Sequence, residues 1–157
     1  MSGKKLLTFA IIATLAATLT SCGGRRAAEL EKHKDEGIAA MGEGRFDDAV
    51  QEFDRALENV GFTVKYEAID INYYKAAAEY AGGRFDDAIE TYGALIDYDK
   101  NNGDAYFLRG CLYADEHEID RAVSDFEAAV KTDPNNFDRY VEIHSHLSSL
   151  GYDAEAL

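Results

Sequence analysis

Six residues, Gly44-Arg45-Phe46-Asp47-Asp48-Ala49, return letter for letter as Gly83-Arg84-Phe85-Asp86-Asp87-Ala88, and a diverged copy follows at His117-Glu118-Ile119-Asp120-Arg121-Ala122. The separations are 39 and 34 residues. A period in that range marks an array of small units, none of which can bury its apolar face alone. Each copy reads as a tight turn between two helices. Glycine closes the first helix, an apolar residue points inward, and the acids suit the start of the second helix. A single proline in 157 residues argues against a many-turned β-sandwich, so the expected fold class is all-α.

The N-terminus has a different design. Lys4 and Lys5 precede an apolar run from Leu6 to Leu19. At about 14 residues it falls short of the ~20 of a spanning helix and matches an export signal. The run ends in Leu19-Thr20-Ser21-Cys22, which resembles the lipobox of bacterial lipoproteins. That resemblance implies cleavage after residue 21, a diacylglycerol on Cys22 and a lipidated N-terminus with a short link over 22–26. It places the chain in the bacterial cell envelope, anchored on the extracytoplasmic side of a membrane. The alternative is an ordinary signal peptide or an uncleaved anchor. Two or more acyl chains hold a protein firmly to a bilayer, where one does not. Gly23 follows the cysteine, so the aspartate that would signal inner-membrane retention is absent. Without its leader the chain keeps one thiol, Cys111, and the fold must stand on packing without a disulfide.

The formal net charge is −14, and losing Lys4 and Lys5 makes the mature chain more acidic still. That sign excludes nucleic acid as a partner. A hydrophobic content of 46% fits a globular or repeat domain rather than a disordered one.

After Cys22, Ala27 to Met41 reads as a helix, and Asp47 to Glu58 as a second, with Ala49, Val50, Phe53, Ala56 and Leu57 at the spacing of an amphipathic stripe. Phe62-Thr63-Val64 reads as an apolar loop folded back on the core. Tyr66 to Ala81 and Asp86 to Ile96 form the next pair. In the following stretch Tyr106, Gly110, Tyr113, Ala122, Phe126 and Pro134 follow the tetratricopeptide pattern, with Arg109 where that family usually has leucine. Gly37, Gly44, Phe46, Ala49 and Phe53 match it earlier, as do Gly83, Phe85, Ala88, Tyr92 and Leu95, with Ala76 in a glycine slot. The chain over 27–157 therefore resembles a tetratricopeptide repeat protein. The resemblance implies a helix-turn-helix solenoid, a right-handed superhelix of about three and a half repeats. Their limits fall near 30–63, 69–102, 103–136 and 137–157. Small residues at Gly37, Ala76 and Gly110 let helices close together, while Phe53, Tyr92 and Phe126 fill the space between repeats. Asp138 to Leu150 reads as a seventh helix with Tyr140, Ile143, His144, Leu147 and Leu150 on its inner face. Residues 151–157 resemble the opening of an eighth helix, so either the array is cut short or the seventh helix is a cap.

In that family the first helix of each repeat lines a concave face that grips a peptide or a helix. The corresponding residues are Lys34, Ile38 and Met41, then Asp70, Tyr73, Ala77 and Tyr80, then Asp104, Phe107 and Cys111, and finally Asp138 and Val141. They describe an apolar, aromatic floor with Asp70, Asp104 and Asp138 along one edge. The expected role is a membrane-anchored interaction scaffold whose partner is another protein, offering a basic or apolar-aromatic segment; alternatively the aromatics only complete the packing, copies of the chain self-associate, or the chain is a solute-binding lipoprotein. The co-chaperone type of groove clamps a C-terminal carboxylate with Lys and Asn, and the matching positions here are Asp, Tyr, Ala and Leu.

No catalytic motif is visible. His144 and His146 are two apart on a helix and point in different directions, so they make no shared metal site; His144 reads as interface and His146 as surface. Asp115, Glu116, His117 and Glu118 read as a solvated loop. No cofactor is expected beyond the lipid on Cys22, and no enzymatic activity.

Overall fold

The computed structural model describes residues 3–61 and 65–152, with the side chains of 3–22 and of Lys65 left aside. The described residues form seven helices and no strand: α1 (Gly3–Gly42), α2 (Phe46–Glu58), α3 (Lys65–Ala81), α4 (Phe85–Tyr98), α5 (Gly103–Asp115), α6 (Ile119–Thr132) and α7 (Phe137–Ser149). The lipobox side chains, the loop at Phe62-Thr63-Val64 and the eighth-helix start at 153–157 lie outside the described residues. Where a link is expected over 23–26, α1 continues as helix; no proline interrupts the backbone ladder there. Among the described residues no helix is long and apolar enough to cross a membrane.

The chain divides into two compact units, Met1–Ile71 and Asn72–Leu157, with the boundary inside α3. In the first, α1 packs on α2. Leu30, Ala40, Ala49, Val50, Phe53 and Ala56 are buried, and the Phe53 ring lies so close to Gly37 that an added Cβ would come within 2.6 Å of it. The second unit repeats this contact. A Cβ on Gly110 of α5 would stand 2.7 Å from the Phe126 ring of α6, and Phe126 also joins a core with Ile143 and Leu147 of α7. Small residues and rings thus occupy the places their spacing predicts.

The turns close in one way three times. Gly44 and Gly83 have φ of 74° and 76°, a left-handed conformation that glycine adopts without a steric penalty. The next N–H reaches back five residues, Arg45 to the Ala40 carbonyl at 2.9 Å and Arg84 to that of Glu79 at 2.8 Å, which satisfies helix-end carbonyls. The third copy keeps the geometry without glycine: His117 has φ 61°, and Glu118 N–H donates to the Tyr113 carbonyl at 2.7 Å. The acids of the hexapeptide do more than meet the helix dipole. Arg45 donates to Asp48 at 2.6 Å and Arg84 to Asp87 at 2.7 Å. In the diverged copy the polarity is exchanged, and Arg121 donates back to Glu118 at 2.7 Å.

Arg109, at a position the family usually gives to leucine, has a specific partner. Its Nε and Nη2 donate to the two carboxylate oxygens of buried Asp125 at 2.7 and 2.9 Å, between the rings of Tyr106 and Tyr113.

Candidate functional site

Side chains from α3, α5 and α7 of the second unit converge on a cavity of about 320 Å³ lined by Tyr73, Asp104, Phe107, Leu108, Arg139 and Glu142. Three of these, Tyr73, Asp104 and Phe107, are predicted groove residues. The helix starts set their positions. Asn102 caps α5, its Oδ1 accepting from Ala105 N–H at 3.1 Å and from the Tyr73 hydroxyl at 2.6 Å. Tyr73 is thereby held upright on the α5 start, and burial raises its phenol above the ordinary range. Asn136 caps α7 in the same manner, accepting from Arg139 N–H at 3.1 Å.

Arg139 is the residue that the sequence pattern missed. Its guanidinium lies 4.2 Å from the centre of the Phe107 ring, donates to Asp104 and stands 3.2 Å from Glu142. The floor expected to be apolar with an acidic edge therefore has a cation at its centre. Asp104 and Glu142 remain largely exposed around it.

On α7 the expected face is offset. Asp138 and Val141 are exposed and do not line the cavity. Arg139, Ile143 and His146 form the inward stripe, because Ile143 and Leu147 set the buried side and residues three and four apart share a face. The two histidines accordingly exchange roles. His144 is exposed, while half-buried His146 places Nε2 3.2 Å from Asp115 and 3.4 Å from the Cys111 carbonyl. Tyr140 is exposed as well.

A second polar cluster lies on the same helices. The Tyr80 hydroxyl donates to Asp115 at 2.8 Å, and that hydrogen bond, ahead of burial, pushes its phenol up to about 12. Asp115 thus bridges α3 and α7 rather than sitting in a solvated loop. Cys111 is half-buried beside it, and burial followed by the Asp115 charge pushes its thiol up to about 12. Such a thiol stays protonated and is a poor nucleophile. Ala77 is half-buried on α3.

The first unit carries the remaining predicted residues. Lys34 donates to Glu31 at 3.2 Å; that hydrogen bond is the main reason its ammonium pKa is raised, with Asp70 a smaller contributor. Ile38 and Asp70 are exposed and Met41 is half-buried.

The sequence pattern of the tetratricopeptide repeat family matches residues 34–102 and 73–137. Mouse (Mus musculus) tetratricopeptide repeat protein 14 is 30% identical over 82 residues, which is 52% of this chain; the match spans 10% of that protein's length. The second TPR domain of human RPAP3, in complex with the HSP70 peptide SGPTIEEVD, is similar in structure with a TM-score of 0.63 and 19% identity, covering 82% of this chain and 99% of that one. The Yersinia enterocolitica chaperone SycD, in complex with a peptide of the translocator YopD, has a TM-score of 0.62 and 18% identity, covering 78% of this chain and 92% of that one. MamA gives 0.61 and 20% identity over 81% of this chain and 71% of that one. At these identities the structural likeness is one of fold.

Proposed function

Since the chain belongs to the tetratricopeptide repeat family, we propose that it is a protein-interaction module held at a bacterial membrane by lipid on Cys22, and that its α3–α5–α7 face receives a segment of another protein. The observation that carries this reading is the cavity with Tyr73 and Phe107 as apolar walls and Asp104 and Glu142 exposed at its rim. The segment that fits brings an aromatic or aliphatic anchor and a Lys or Arg that competes with Arg139 for the two carboxylates. Aromatic walls supply most of the affinity in such interfaces, and the carboxylates supply orientation and on-rate. That RPAP3 and SycD are seen with peptides supports a peptide-binding role in general. The peptide SGPTIEEVD is acidic, and an acidic rim disfavours that class here.

The test is fluorescence anisotropy with Arg/Lys-aromatic peptides against the wild-type chain and a Tyr73→Ala/Asp104→Lys double variant. Affinity is expected to fall at least tenfold, and an acidic peptide to bind weakly to both. Unchanged affinity in the variant sinks the groove assignment. For the anchor, Cys22→Ser is expected to leave the membrane fraction and to lose labelling by a fatty-acid probe.

A second reading, self-association, has its own observation. Phe137 and Val141 on α7 are 75% and 66% exposed. A concentration series by sedimentation velocity separates the two, because self-association needs no partner.

A further inference from the structure

The α1–α2 hairpin brings an imidazole and three carboxylates together in a place the groove does not use. His33 Nδ1 stands 2.6 Å from Glu52 Oε2 and 3.5 Å from Glu36 Oε2, and its Nε2 stands 3.7 Å from Glu29 Oε2. One ligand atom each from His33, Glu36 and Glu52 falls within 4.8 Å of the others. We propose that these three residues bind a divalent transition-metal ion of the zinc type, with Glu29 adding negative charge beyond the ring's second nitrogen.

The geometry differs from a chance grouping of surface acids in three respects. The donors come from two helices whose spacing is fixed nearby by the Gly37–Phe53 contact, so the ligands stand on rigid elements. His33 and Glu36 are three apart on α1 and share one face, and Glu52 reaches across from α2. The His33 and Glu52 side chains are only 16% and 18% exposed, so water competes with an ion from one side only.

The outer partners also fit. Glu52 gives its other oxygen to Arg55, which leaves Oε2 directed at the ring. Of the neighbouring cations, Arg55 is paired with a proposed ligand, through the Glu52 oxygen turned away from the ring; the two lysines are engaged elsewhere or at the edge. Lys34 pairs with Glu31 at 3.0 Å, and Lys32 stands 3.8 Å from Glu29.

Charge and donor type select the ion. Glu29, Glu36 and Glu52, set against the Arg55 guanidinium, leave an excess of negative charge around the ring that a divalent cation offsets. A mixed set of one nitrogen and two oxygens suits Zn²⁺ better than Ca²⁺ or Mg²⁺, which take oxygen alone, and better than thiolate-seeking ions. Ligands on bonds of ~2.1 Å stand ~3.4 Å apart around a tetrahedral ion. The His33 ring and Glu52, which now share a 2.6 Å hydrogen bond, would therefore part by somewhat less than ~1 Å to admit it, while half-exposed Glu36 already stands 3.5 Å from the ring. Three protein ligands leave a fourth position for water. The ion would brace α1 against α2, and this inference stands independently of the groove.

The test uses the full chain in mild detergent, titrated with zinc sulfate by calorimetry, with the histidine ring nitrogens followed by NMR. One equivalent is expected to bind, with the His33 Nδ1 resonance shifting and the thermal midpoint rising. His33→Gln, Glu52→Gln and Glu36→Gln should each weaken binding at least tenfold and remove the zinc-dependent rise. Glu36 is half-exposed, so its variant probes the site without disturbing the core. Equal affinity in the variants overturns the proposal, as do shifts confined to His117, His144 or His146; either would mean an adventitious surface ion. Absence of binding, with His33 simply holding a proton between the glutamates, overturns it too.

Discussion

The Arg139 guanidinium of α7 sits over the Phe107 ring of α5, 4.2 Å from its centre, while donating to Asp104 one turn away. Phe107 thus anchors the arginine, and the arginine anchors the carboxylate. A stacked guanidinium contributes about 1–2 kcal/mol when partly desolvated. Arg139→Ala is expected to lower stability by about that amount in urea denaturation. Arg139→Lys should recover less than half of it, because an ammonium lacks the planar fork that stacks and pairs at once. Full recovery by lysine would mean that charge alone matters there.

Two glycines should respond oppositely to alanine. Gly110→Ala would drive a methyl into the Phe126 ring at 2.7 Å, and overpacking of this kind costs about 1–3 kcal/mol. At Gly93, inside α4, the nearest atom to an added Cβ is Arg109 Nη1 at 3.5 Å, an ordinary contact. Gly93→Ala should therefore gain about 0.5–1 kcal/mol from helix propensity. The shift of the thermal midpoint, down for one and up for the other, is the measurement.

The Arg109–Asp125 pair should prove costly to halve and cheap to replace. Removing one partner of a buried bidentate pair leaves an uncompensated charge, and Arg109→Leu alone should cost about 3 kcal/mol. The double variant Arg109→Leu/Asp125→Leu should lie within about 1 kcal/mol of the parent, as apolar replacements of buried pairs often do. A double-mutant cycle by chemical denaturation gives the coupling. Additive losses would show that the two residues act separately.

Glu79 supplies a pH signature. It is 2% exposed, and its Oε2 accepts from the Thr91 hydroxyl at 2.8 Å. Burial, the largest influence, raises its carboxyl above the usual range against the opposing pull of Thr91 and Lys75. Such a group binds more protons folded than unfolded, so its contribution to stability falls as pH rises through that window. The penalty is absent below the unfolded value of about 4.3 and complete above the folded one. Glu79→Gln keeps an acceptor for Thr91. It is expected to be at least as stable as the parent at pH 7 and to lose that margin as the pH falls toward 4. A deficit at pH 7 that persists in acid would contradict this.

Most of the architecture is legible in the sequence because it rests on local rules. The second, third, fourth and seventh helices lie within two residues of their expected ends, and Gly44 and Gly83 adopt the left-handed turn that their place implies. Tyr73 and Phe107 line the cavity because each sits on the face that its own helix turns toward it. What was not legible depends on a second helix. Arg139 is inward because Phe107 offers it a ring, and nothing in α7 alone distinguishes its stripe from that of Asp138 and Val141. His146 is turned in by Asp115 and the Cys111 carbonyl, both 31 or more residues upstream. His33 and Glu52 meet only once α1 and α2 have closed. Arg109 stands out in the sequence as a departure, but its partner Asp125 carries no local mark.

The exchange of charge between the first two turns and the third bears on how the chain avoids mistaking one repeat for another. Nearly identical segments in tandem are at risk of exchanging partners while they fold, and misassembly is a characteristic failure of repeat proteins. Arg45–Asp48 and Arg84–Asp87 are interchangeable, whereas Glu118–Arg121 answers to neither. An arginine meeting Arg121, or an aspartate meeting Glu118, finds repulsion where its own turn offers a bond. Each pair is exposed and holds little energy in the finished structure. Its value lies in the alternatives it makes worse: the third turn carries an address that the first two cannot forge.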